Sequence, residues 1–155
     1  MKKQVLYILL LFTFVSCQEE VKFNNPSFQG LKDDVFWRAV SSKATLSANG
    51  ALTVEAYTRN EKVTLKTNSK TPQTYILGTI SSITATYTLI DGNSTITFSA
   101  GNGFGDGQIE ITEYDAVKKT VTGTFRFNAE NFDNNSLFGP TLNFQQGVFY
   151  KVPIN

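Results

Sequence analysis

The chain has 155 residues, 41% of them hydrophobic, with 14 Lys and Arg against 13 Asp and Glu. That length supports one domain with a real core, and the near-zero net charge supplies no basic field to attract nucleic acid or an anionic membrane surface. Histidine is absent and there is one cysteine, which excludes His-based acid–base catalysis, Ser-His-Asp and Cys-His nucleophiles, the usual zinc and copper sites, and any intrachain disulfide.

The chain opens on MKKQVLYILLLFTFVSC, followed by QEE. Lys2 and Lys3 are a positive flank, and Val5 to Val15 is an apolar run interrupted by Thr13. The run falls short of the roughly 20 apolar residues that cross a bilayer, and it fits a cleavable secretory signal. Phe14, Val15 and Ser16 before Cys17 resemble the lipobox of bacterial lipoproteins, with Phe14 standing where Leu is usual. The resemblance implies diacylglycerol on the Cys17 sulfur, cleavage before Cys17, and acylation of the new amino group. A lone thiol in an exported chain is otherwise a liability. One acyl chain holds only marginally at about 0.8 kcal/mol per buried methylene, so lasting attachment takes several. Gln18, Glu19 and Glu20 either resemble the surface-export signal of some Bacteroidota lipoproteins or simply begin a polar tether. The expected organisation is a signal peptide over 1–16, a lipidated cysteine and polar tether over 17–33, and a folded domain over 34–155. Without Lys2 and Lys3, 12 basic residues face 13 acidic ones.

Asn24, Asn25, Pro26 and Gly30 give Val21 to Lys32 the composition of a tether. Asp34 to Val40 predicts the first strand. Its Trp37 reads either as core or as an aromatic platform for a sugar ring. Asn49-Gly50 between the alternating runs 43–48 and 51–57 predicts a hairpin with a type I′ turn. Leu52, Val54 and Ala56 share one face. Strands follow over 62–67 and 74–79, with Pro72 in the loop between them.

A second hairpin is predicted over 83–90 and 94–100, turning at Asp91-Gly92-Asn93, with Ile83, Ala85, Tyr87 and Leu89 on one face. The glycine-dense run Gly101 to Gly107 fails as a phosphate cradle, because a strand rather than a helix follows it. It reads as an inter-strand loop in which Asp106 is too little on its own for a calcium site. A third hairpin is predicted over 107–114 and 120–129. Glu110 and Glu113 lie there at an odd spacing that points them to opposite faces of a regular strand, which makes them poor partners for acid–base work. Glu130 to Pro140 is a loop carrying Phe132, Leu137 and Phe138, either a binding edge or a cap on the core. Thr141 to Val152 closes the chain as one or two strands with a bulge near Gly147.

Roughly nine strands with short turns and no helix after the leader predict an all-β antiparallel meander closed as a β-sandwich or flattened β-barrel. The aromatic strand FWRA, the strand LTVEA, the hairpin GQIEITEYD…VTGTFRFNA and the closing GVFYKV together resemble a family of small Bacteroidota lipoproteins that carry a domain of unknown function. The resemblance implies location and fold, and no activity comes with it. The expectation is therefore a non-enzymatic module at the cell envelope. It is held to the outer membrane through Cys17, on the periplasmic or the surface side, and binds an envelope protein or glycan without metal, cofactor or nucleic acid. Candidate contact residues are Trp37, Phe104, Asp106, Phe132 and Phe138. The alternative is a lipocalin-like carrier of a small apolar ligand, which needs an interior wider than its side chains fill. A carboxylate hydrolase would need Asp106 to converge with Asp115 or Glu113.

Overall fold

A computed structural model describes residues 27–132 and 138–155. Cys17, the leader and Leu137 lie outside the described residues. Every named element is a strand: β1 (Ser27–Lys32), β2 (Val35–Arg38), β3 (Ser41–Leu46), β4 (Leu52–Tyr57), β5 (Glu61–Thr67), β6 (Gln73–Ile76), β7 (Thr84–Asp91), β8 (Ser94–Ala100), β9 (Asp106–Asp115), β10 (Thr120–Asn131) and β11 (Thr141–Pro153). They form one antiparallel sheet in the order β2-β1-β11-β10-β8-β7-β5-β4-β3, with β9 on β10 and β6 on β9. The sheet curls strongly into a half-barrel. The described tail after β11 reaches the far edge of the sheet through a parallel bridge from Ile154 to Ala44 on β3.

The strands follow the period-two pattern of the sequence. Leu52, Val54 and Ala56 on β4, Val63 and Leu65 on β5, Ala85 and Tyr87 on β7, and Ile96, Phe98 and Ala100 on β8 all turn into one core. Its centre is aromatic. Phe28 meets Phe125 at 4.7 Å between ring centroids, and Phe144 lies 5.3 Å from Phe125 and 5.4 Å from Phe127. Burial of these rings outside water is the main term holding the curl.

Several local expectations need correcting. Ser27–Lys32, read as tether, is β1, paired with β11 on one side and β2 on the other. Phe28 is its buried anchor. Gly30 takes the next inward position and leaves no side chain to mark the alternation.

The Asn49-Gly50 hairpin exists, but its turn is not type I′. Gly50 donates to the Ser47 carbonyl at 2.9 Å, and Gly50 alone of the pair has positive φ, 84°. The pattern is a type I turn ending in a left-handed glycine, which displaces the turn by one residue. Asn49 is occupied otherwise: its Oδ1 accepts from the Ser47 hydroxyl and from the Ala51 N–H.

Three bulges reshape the long strands, one of them setting Tyr150 and Lys151 of β11 together opposite Thr122 of β10, with Lys151 at a φ of 49°. On β9, Thr122 pairs with Glu113 but Gly123 pairs with Ile111, so Thr112 is an extra residue. On β11, Phe125 pairs with Gly147 but Phe127 with Phe144, so Gln145 and Gln146 together face Arg126. Gln146 takes a φ of 51° there. The strand bends at this bulge without breaking, as such insertions do.

Candidate functional site

The outward face of β9, β10 and β11 carries polar side chains in register. On β10 the buried residues Val121, Phe125, Phe127 and Ala129 alternate with outward Thr124, Arg126, Asn128 and Glu130. Thr124, Arg126 and Asn128 each hydrogen-bond a polar side chain across the ladder. The Asn128 Nδ2 donates to Asp106 Oδ1 at 2.8 Å, while the Asn143 amide donates to Asn128 Oδ1. One step along, Arg126 Nη2 donates to Gln108 Oε1 at 3.2 Å, and at the next step Thr124 Oγ1 donates to Glu110 Oε2 at 3.3 Å. The β11 bulge leaves a shallow depression beside this array. It comprises a hollow of about 220 Å³ and an adjoining one of about 520 Å³, both bordered by Gln108, Arg126 and Gln145.

Four of the five sequence-chosen contact residues gather near one end of this face. Asp106 begins β9 and borders the smaller hollow. Phe104 and Phe132 meet edge to face with centroids 4.8 Å apart, and Phe132 is 54% exposed. Phe132 follows Arg126, Asn128 and Glu130 at the same two-residue spacing. Phe138 is half-buried against the core and caps it.

Gly105 explains the glycine run between these groups. A Cβ there would lie 2.4 Å from the Asn128 carbonyl oxygen, and its φ is +59°. Its N–H donates to Glu130 Oε1 at 2.9 Å, tying the loop to β10.

Trp37 does not belong with the others. It is 5% exposed, edge-on to Phe28 and Phe144. A ring with both faces covered offers no platform to a sugar, so its role is core and anchor.

That anchor leads to a cluster which sequence reasoning missed. Lys32, Trp37, Glu61 and Tyr87 point inward from β1, β2, β5 and β7. The Glu61 carboxylate accepts from Trp37 Nε1 at 2.7 Å, from the Thr58 hydroxyl at 3.2 Å, and from Lys32 Nζ and the Tyr87 hydroxyl. Lys32 Nζ also donates to the Tyr87 hydroxyl at 2.9 Å and lies 4.9 Å over its ring. Burial pushes the Glu61 carboxyl up, but hydrogen bonds from Lys32, Tyr87 and Trp37 outweigh it and hold the group below the ordinary glutamate range. Burial, then the neighbouring Glu61, drives the Tyr87 hydroxyl well above its ordinary value. One signal could have found Glu61: it shares the parity of buried Val63 and Leu65 on β5.

Chemically, the inner cluster is a satisfied ion pair and the outer face a surface of hydrogen-bonding groups. Among the described residues, no group of three or more His, Cys, Asp or Glu could hold a metal ion. Asp106 and Asp115 stand at opposite ends of β9, roughly 30 Å apart at about 3.3 Å per residue. Asp106 and Glu113 are separated by most of the same strand, so neither pairing converges. Glu110 and Glu113 do share a face, contrary to the odd-spacing argument. The Thr112 bulge absorbs one residue, and they pair with Thr124 and Thr122 on the outer side of β10.

The architecture defines an all-β domain built as one strongly curled antiparallel sheet. A family model described as a domain of unknown function (DUF6252) matches residues 24–153, and the chain belongs to that family. No curated protein and no solved structure matches the chain.

Proposed function

We propose that this chain is a membrane-anchored, non-enzymatic binding module of the cell envelope. In this reading lipid on Cys17 holds it to the outer membrane, and the outer face of β9–β11 meets an envelope protein or glycan. The observation that carries the reading is the polar array on that face, with the Phe104–Phe132 pair at its end. The placement of the termini supports it. Ser27 pairs with Tyr150 at one end of β11, whereas Asn143 and Asp106 flank Asn128 at the other. The first described residue lies at the end far from Phe132, so in this reading a tether from Cys17 joins the domain at the end opposite the aromatic pair. Nine residues lie between Cys17 and Ser27, and their ten backbone steps reach at most about 36 Å.

We read the half-barrel as closing into a flattened barrel. The Ala44–Ile154 bridge, the Asn155 N–H donating to the Ala44 carbonyl at 2.9 Å, and the Glu61 cluster support that reading. The carrier alternative receives no such support, since aromatic rings crowd the interior where a ligand would sit.

The test of the anchor is palmitate incorporation by the full chain and by Cys17→Ala in growing cells. Label on the wild type alone, with the variant released from the membrane fraction, is the expected result. Equal membrane association of both chains without label would overturn it. For binding, the full chain taken from membranes is expected to retain an envelope glycan or cross-link to an envelope protein through β9–β11; failure of both would sink that part.

A further inference from the structure

Resting on the binding reading above, we propose that the depression over β9–β11 is a carbohydrate groove. It would take several consecutive sugar rings of a neutral or sparsely charged polysaccharide. Asp106, Gln108, Arg126, Asn128 and Gln145 border it, and Gln146 joins them in the larger hollow. Each ends in a planar group. Amides present donor and acceptor side by side, the guanidinium presents a fork of donors, and the carboxylate presents paired acceptors. Adjacent ring hydroxyls, each donor and acceptor at once, match such groups two at a time.

The β11 bulge adds to this chemistry. Where Gln145 and Gln146 together oppose Arg126, the ladder is interrupted and the surface dips. Apolar groups line it as well: Phe127 and Ile76, 48% exposed, in the smaller hollow, and Phe125, Gly147 and Val148, 36% exposed, in the larger, with Ile76 and Val148 as the exposed aliphatic margins. Aliphatic margins suit the C–H faces of a sugar ring.

The same features disfavour the other occupants. Protein interfaces concentrate their energy in large apolar or aromatic anchors seated in desolvated pockets, and the large rings that line this depression, Phe125 and Phe127, are buried beneath it rather than open to a partner. A polyanion would meet one guanidinium, Arg126, with the Asp106 carboxylate bordering the same hollow. The length fits a chain of rings. Phe132 stands six residues beyond Arg126 on the same parity, roughly 20 Å along the strand direction. Its exposed ring, braced by Phe104, offers a stacking face at the end of the row.

The test is affinity electrophoresis of the full lipidated chain in detergent through gels containing laminarin, xylan, dextran or arabinogalactan, with hydrogen exchange measured on any pair that binds. Retardation by at least one of these polymers is expected, with new protection confined to peptides covering 106–110, 124–132 and 143–148. Arg126→Ala and the double variant Gln108→Ala/Gln145→Ala should each weaken retention at least about tenfold, equivalent to about 1.4 kcal/mol. Phe132→Ser should weaken it less. Val117→Ser, in the turn that joins β9 to β10 at the end away from the groove, should leave it unchanged. All are outward substitutions, so thermal unfolding should stay near that of the wild type.

Retention that survives both groove variants would overturn the site. No retention by any polymer would overturn the carbohydrate assignment. A protein cross-linking to this face would also overturn that assignment while leaving the binding-module reading intact.

Discussion

The indole N–H of Trp37 on β2 donates to Oε2 of Glu61 on β5 at 2.7 Å. In the sheet order β1, β11, β10, β8 and β7 all intervene, so this bond crosses the interior that the curl encloses. It ties the β1–β2 hairpin to the opposite wall. Trp37→Phe keeps a ring against Phe28 and Phe144 but removes the donor. Glu61 is part-buried and keeps its other donors, so the loss is that of one hydrogen bond to a charged group, about 1.5–3 kcal/mol. The urea midpoint should fall accordingly with little change in slope. An unchanged midpoint would show that the tie contributes nothing.

Glu61 also sets an acid limit. Its folded carboxyl titrates below the ordinary glutamate value of 4.5. The stability it contributes is therefore complete above that value and lost as pH falls through the lower, folded one. Glu55, between Lys43 and Lys62, is held low in the same way: burial opposes, and hydrogen bonds from Lys62 and Tyr57 prevail. In urea unfolding across a pH series below 4.5, Glu61→Gln should flatten the acid limb, and Glu55→Gln should flatten it less because both of its lysines are more exposed. Tyr87 acts at the other extreme. Its raised value means stability present below about pH 10 and lost above it, so Tyr87→Phe should blunt the alkaline limb.

The strands were legible because their inward residues recur every second position. The hairpin joining β7 and β8 turns where the sequence placed it, with Asp91 paired to Ser94. Legibility failed wherever the period was hidden or broken. Gly30 concealed the alternation of β1, so Lys32 passed for tether when it turns inward to Glu61. The strand predicted over 62–67 starts one residue late, and so omits Glu61, the first inward residue of β5. Bulges are invisible to a strict two-residue rule, and the one at Thr112 brings Glu110 and Glu113 to a shared face. Trp37 was open between core and platform because a ring's burial depends on partners distant in sequence, here Phe28 and Phe144. The groove lay outside local reasoning altogether: it is made by the registers of three strands, and only Asp106 among its residues stood out from the sequence.

The glycine run offers a direct comparison. At Gly105 an added methyl group would press on the Asn128 carbonyl oxygen and on Ala100, with Cβ contacts of 2.4 and 2.8 Å. At Gly103 nothing lies within 4 Å, and only its φ of +83° opposes a side chain. Gly103→Ala should cost about 1–2 kcal/mol from backbone strain alone. Gly105→Ala should cost clearly more, because β8 or β10 must shift to admit it. Equal losses in chemical denaturation would mean the loop relaxes freely and does not govern the start of β9.

Two phenylalanines separate the core from the face. Phe144 is fully buried, in ring contact with Trp37, Phe125 and Phe127. Truncating such a residue removes its transfer free energy and leaves a cavity, typically costing about 3–5 kcal/mol. Phe132 is 54% exposed and, among the described residues, its ring meets that of Phe104 alone. Phe132→Ala should therefore cost no more than about 1 kcal/mol, the scale of a single exposed aromatic pair. Calorimetry of the two variants checks this directly: a large drop in melting temperature for Phe144→Ala beside a small one for Phe132→Ala. A comparable drop for Phe132→Ala would mean that the exposed ring fastens the end of β10, and its place on the outer face would then have a structural reason rather than a binding one.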